Sequence, residues 1–262
     1  MAVPDEVIER FLGTGRLPRA WADWSGTPAE RRREGEAAAR EVLGRIVRWR
    51  AKSAPLSVGE APTDVAGQVR ERAEPMVRGL LGAEAPVVLE CLSGCVRVVT
   101  PASFRELAAD LSPRTAWDLA NLLLDAMGAP TLADDIPELE GISHAAVGYV
   151  LPAAFTPGPR TDVLVHEVAH LLHAVPRARA GLSPGREPLF RVDLRHRETF
   201  AWACELWTCF SREPDPAAAA VRYAADADPV DVRVDRALLS RCLCDAAAGA
   251  GWAAIAGLGG AR

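Results

Sequence analysis

Three of the chain's five histidines fall within eight residues, inside an apolar segment with a marked beginning and end. The segment reads Val163-Leu164-Val165-His166-Glu167-Val168-Ala169-His170-Leu171-Leu172-His173. Thr161 or Asp162 can cap its first turn and Pro176 cannot continue it, so the stretch between them is expected to be a single helix set among apolar neighbours. With 3.6 residues per turn, His166 and His170 stand one turn apart on one face and Glu167 is rotated to the side. His173 shares that face but lies about 10 Å along the axis from His166, too far to share one ion with it. A packing or supporting role is expected for it.

Two imidazoles at this spacing can converge on one tetrahedral Zn2+, with Glu167 placed to accept a proton from water. An H-E-x-x-H string arises by accident in only about one such sequence in a hundred, and the apolar flanks, cap and proline stop lower that further. A third ligand has to come from elsewhere, because Pro176 occupies the position six residues past His170 where a metzincin-type ligand would stand. Downstream, residues 195–207 read as a helix carrying Glu198 and Glu205 two turns apart on one side.

His-Glu-Val-Ala-His on one helix, then Glu198-Thr199-Phe200-Ala201 on a second as a loose E-x-x-A, resembles the zincin metallopeptidases and their gluzincin branch. The resemblance covers about residues 144–210. It implies Zn2+ held by His166, His170 and Glu198, with Glu205, His196 and Asp193 as rivals to Glu198 in that order. It also implies hydrolysis of peptide bonds with Glu167 as general base, and an extended substrate paired along a strand at 144–151. The oxyanion donor is expected from His196 or Tyr223, with Tyr149 as a further candidate. Many gluzincins carry an aspartate four residues past the ligand glutamate to orient a zinc-binding histidine, and here that position is Trp202. The orienting role then falls to Glu205 or to a backbone carbonyl, or Glu198 is not the ligand.

Two other functions compete. Glu90-Cys91-Leu92-Ser93 is similar to the E-G-C-L-S segment of peptide deformylases, but the glycine is missing and Cys91 stands 75 residues before His166, beyond that family's spacing. The other is a zincin-scaffold regulatory or binding protein acting on one specific cytoplasmic partner with little general proteolysis. Retention of Glu167 argues for a working site. Zinc as a purely structural staple is disfavoured, since such sites are usually closed by four protein ligands. Between the two ligand helices, Arg177, Arg179, Arg186, Arg191, Arg195 and Arg197 face only Glu187 and Asp193, so an acidic substrate is an option. Arginine supplies all but one of the basic residues, however, and a solvated loop is an equal reading.

The remainder is expected to be mostly helical. Thr27-Pro28-Ala29-Glu30 is a capping box opening a helix to about Arg50, and a second helix from Asp64 to Leu81 should break or kink at Pro75. Pro86–Glu90 and Cys95–Thr100 read as a hairpin, Thr100–Leu111 and Ser112–Met127 as helices, 131–143 as loop, and His144–Pro152 as a strand. The fold class is therefore α+β, mostly helical, with a small sheet and an active-site helix. Three regions are expected: a helical 1–85, a zincin-like core at 86–212 and a helical cap at 213–262. The net charge of -5 gives no reason to expect nucleic acid as partner. No apolar run reaches membrane-spanning length and no secretory signal is visible, so a peptide or protein substrate in the cytoplasm is expected, with no membrane partner. The six cysteines show no C-x2-C spacing and are expected to be free thiols.

Overall fold

A computed structural model describes residues 3–18, 25–134, 141–158, 161–225 and 232–259. In chain order the helices are α1 (Asp5–Thr14), α2 (Pro28–Ala51), α3 (Val65–Leu81), α4 (Ala85–Ser93), α5 (Phe104–Ala109), α6 (Pro113–Ala126), α7 (Val163–Ala174), α8 (Arg197–Phe210), α9 (Pro216–Ala225), α10 (Arg236–Asp245) and α11 (Trp252–Ala256). Three short strands, β1 (Val96–Val98), β2 (Gly141–His144) and β3 (Val147–Val150), form one mixed sheet in the order β1-β3-β2. The chain is thus α+β and mostly helical, and no described helix is long and apolar enough to cross a membrane.

The chain divides into two compact units, neither continuous in sequence: residues 1–61, 98–144 and 151–153 form one, and 62–97, 145–150 and 154–262 the other. The boundaries expected at 85 and 212 do not coincide with this division. In the first unit α2 starts on the capping box read from the sequence, with the Thr27 N–H donating to Glu30 Oε2 (2.9 Å) and the Glu30 N–H to Thr27 Oγ1 (3.3 Å). It packs its Ala39, Leu43 and Val47 face with α5 and α6. The second unit holds α3, α4 and α7 to α11.

Three expectations fail locally. The apolar run Pro86–Glu90 is helical: Ala85, Val88, Leu89 and Leu92 are buried at helical spacing while Val87 and Glu90 are exposed, so period 3.6 wins over β-propensity. Of the break or kink expected at Pro75, the break does not occur: helix α3 runs through it, because Val69, Arg72, Ala73, Met76, Val77, Leu80 and Leu81 form one buried stripe whose packing outweighs the missing N–H. The strand expected at 144–152 is a tight hairpin instead. Ala145 (φ 49) and Ala146 (φ 63) are both left-handed, as a two-residue turn requires, and β2 begins inside the region read as loop. Residues 135–140 of that loop lie outside the described residues.

Candidate metal centre

Helix α7 is buried on almost every side. Asp162 caps it by accepting the Val165 N–H (3.1 Å), Leu164, Val165, Val168, Ala169, Leu171 and Leu172 are in the core, and a β-conformation at Val175 followed by Pro176 ends it. What remains partly accessible along its length is the stripe bearing His166, His170 and His173. Helix α8 packs on α7 and brings Glu198 to that stripe from its first turn.

His166 Nε2 and His170 Nε2 are 3.2 Å apart, and Glu198 Oε2 lies 3.4 Å from His170 Nε2 and 3.9 Å from His166 Nε2. A tetrahedral ion with ligands at about 2.0–2.1 Å needs ligand atoms roughly 3.3–3.4 Å from one another, so this triangle is of the right size. It is also the only group of metal-spaced His, Cys, Asp and Glu ligands among the described residues. The three side chains are 12–18% exposed. Two imidazoles and one carboxylate at this spacing could hold a metal ion.

Each of the three candidate side chains is held from behind. The Nδ1 of His166 donates to Glu205 Oε2 at 3.0 Å, and Glu205, 2% exposed, accepts the Asp162 N–H on its other oxygen at 2.8 Å. Asp162 is fully buried and ion-paired to Arg72 of α3, whose Nη1 also donates to Ala154 O (2.8 Å). His170 Nδ1 is 3.0 Å from His173 Nε2. Glu198 presents Oε2 to the histidines while Arg233 Nη1 holds Oε1 at 2.9 Å.

These contacts set the charges. Burial pushes His166 towards its neutral form, but the hydrogen bond to Glu205 and the carboxylates of Glu205, Glu167 and Glu198 outweigh it and raise its pKa. Burial likewise pushes Glu198 up, and His170, Arg233 and His166 together bring it below the usual carboxylate value. His173 is driven down to about 3 by burial and by the neighbouring His170 and Arg197, so it is neutral at any ordinary pH.

Glu167, 5% exposed, is turned to the side of α7 that faces β3. A methyl placed on Gly148 would stand 4.0 Å from Glu167 Cβ and 3.6 Å from Leu171 Cδ1, so the strand's backbone passes close to the base of the Glu167 side chain. The strand does not offer the free edge expected for substrate pairing along 144–151, since β3 is central and β1 and β2 flank it.

Of the rivals to Glu198, Glu205 is a partner of His166, Asp193 caps the turn before α8 by accepting the Arg195 N–H, and His196 is the residue preceding α8. Tyr223 lies on α9 with its ring 6.0 Å from Phe210, and Tyr149 is 7% exposed on β3. Cys91 belongs to α4, apart from the ligand group, and accepts the Cys95 thiol on its carbonyl. Within the arginine-rich segment, Arg177 pairs with Glu84 and Arg195 with Asp193, so part of its charge is spent internally. The sequence reading missed Arg72 and Arg233. The signal for Arg72 was available, because it is an arginine on the apolar stripe of α3.

Comparison of the chain with protein-family models, with curated proteins and with solved structures finds no match.

Proposed function

We propose that the chain is a zinc-dependent peptidase that hydrolyses peptide bonds in a peptide or protein substrate. The observation that carries this reading is the triangle of His166 Nε2, His170 Nε2 and Glu198 Oε2, all within 4.8 Å of one another, with the Glu167 carboxylate one residue along the same helix. Zn2+ held by these three would act as a Lewis acid on the scissile carbonyl and bring the pKa of water towards neutrality. Glu167 accepts the proton that the attacking water gives up, and returns it to the leaving amine as the carbon–nitrogen bond breaks. Glu205 and His173 keep the two imidazoles in register. His196, Tyr223 and Arg233 are the candidates for stabilising the oxyanion, and Arg233 is already in contact with Glu198.

The test is Glu167→Gln, assayed on labelled casein and on a quenched peptide library with zinc measured in the same preparation. The variant is expected to bind zinc as the parent does and to lose hydrolysis by about 10^2- to 10^4-fold, the usual worth of a general base. Equal turnover in parent and variant, or a parent chain that takes up no zinc, would overturn the proposal.

A further inference from the structure

His173 is the one histidine of the α7 stripe that the ligand triangle leaves unused, and its surroundings are unusual. Its Nε2 faces His170 Nδ1 at 3.0 Å, with the two rings nearly perpendicular at a centroid separation of 5.2 Å. Its other nitrogen, Nδ1, is buried and has no hydrogen-bond partner among the described residues. A buried ring nitrogen left unpaired is penalised, and an orphaned N–H is tolerated less often in protein interiors than an orphaned acceptor. The cheap arrangement puts the His173 proton on Nε2, where it donates to His170 Nδ1. The single proton of neutral His170 is then forced onto its Nε2, the atom that points at His166 and Glu198. In that state His170 offers the triangle a proton and no lone pair. The costly arrangement is the opposite one. With the proton of His173 on Nδ1, its Nε2 lone pair accepts from His170 Nδ1–H, and the lone pair of His170 is exposed on Nε2.

We infer that His173 is a positioning residue that selects the metal-binding tautomer of His170, accepting the Nδ1 proton at the expense of its own buried N–H. The inference rests on the zinc reading of the triangle and assigns the third histidine a duty distinct from those of the three ligands. It makes the support of the two imidazoles unlike: a charged carboxylate, Glu205, fixes His166, and a neutral ring fixes His170. A neutral acceptor leaves the net charge of the centre unchanged.

The experiment compares the parent chain with His173→Leu and His173→Gln. Zinc affinity is measured by chelator competition and the ligand field by the visible spectrum of the Co2+-loaded protein. Leucine fills space but accepts nothing; the glutamine amide oxygen can stand where Nε2 of the imidazole stood. His173→Leu is expected to bind zinc about 10- to 100-fold more weakly, the usual effect of deleting a ligand's outer partner, with a shifted Co2+ spectrum. His173→Gln should recover most of both. A leucine variant binding within twofold of the parent with an unshifted spectrum overturns the inference, as does a glutamine variant no better than leucine. If the leucine variant does not fold, long-range proton–nitrogen correlation spectra of the zinc-loaded parent decide, since His173 must carry its proton on Nδ1 and a proton on Nε2 refutes the assignment. A parent that binds neither Zn2+ nor Co2+ defeats the zinc reading itself, an outcome distinct from a parent that binds tightly without needing His173.

Discussion

The buried ion pair between Arg72 and Asp162 supports the centre from a distance, and Arg72→Met measures how much. Asp162 is fully buried, caps α7 through the Val165 N–H, and passes its own N–H to Glu205. Methionine preserves the volume on α3 but leaves Asp162 without its principal counter-charge. Removing one partner of a buried pair costs about 3–5 kcal/mol. Arg212 Nη1 at 3.6 Å from Asp162 Oδ2 remains, although its side chain is 47% exposed and weakly coupled, which places the expected loss near the lower bound of about 3 kcal/mol. For a chain of this size that corresponds to roughly 6–12 °C in Tm. The assay is urea and thermal unfolding of the metal-free chain. In Arg72→Met/Asp162→Asn the unpaired charge at position 162 is gone and the Asn oxygen can still cap Val165, so the double variant should be more stable than the arginine variant alone, with a coupling of about 2 kcal/mol or more. A loss under about 1 kcal/mol for the single variant, or additive effects in the double, would refute the view that this pair is energetically coupled to the α7 cap.

Two further outcomes test the packing of the second unit. A Cβ on Gly79 of α3 would clash with the Trp252 side chain, so Gly79→Ala should destabilise the chain by about 1–3 kcal/mol, whereas adding it to Trp252→Ala should cost far less; equal costs in both backgrounds would show that α11 does not rest on α3. Burial pushes the thiols of Cys209 and Cys242 up to about 12 and that of Cys204 well above its usual value, so peptide mapping after alkylation at pH 8 should find these three protected while the partly exposed Cys91 and Cys244 react. The raised thiols contribute stability that is fully present below the unfolded value of about 8.5 and is lost as pH rises towards the folded value, so urea midpoints should fall above that pH. Alkylation of Cys204 as fast as Cys91 would contradict the burial.

Helix boundaries were legible wherever a local rule sets them. The Thr27–Glu30 capping box and the Ser112-Pro113 start of α6 each involve residues within one turn of one another, and Asp162 and Pro176 each mark one end of α7 locally, so the immediate sequence carries the information. The misreadings occur where a distant neighbour decides. Pro86–Glu90 can pack as strand or helix, and only the burial of Val88, Leu89 and Leu92 selects the helix. Pro75 stays inside α3 because the stripe around it is buried on both sides. The Ala145-Ala146 turn carries no glycine or asparagine to announce it, and two left-handed alanines hold only because the strands on either side are paired.

The site divides along the same line. His166, Glu167 and His170 lie within five residues, and helical geometry alone sets their relation. Glu205 was reachable by elimination: Trp202 occupies the position of the expected aspartate, its ring 5.8 Å from His166, and a carboxylate three residues later accepts the imidazole N–H instead. Arg72 is 90 residues from Asp162, and no periodicity links the two. Yet Arg72, Asp162 and Glu205 share one property that a sequence exposes, a formal charge on the apolar stripe of a helix or at its first turn. Burying such charges is costly unless they are paired, so each one implies the existence of the others. Read in that way, Arg72 between Val69 and Met76 and Glu205 between Cys204 and Leu206 point to a buried polar network before any contact is known, and the H-E-x-x-H helix is the element in this chain that such a network would serve.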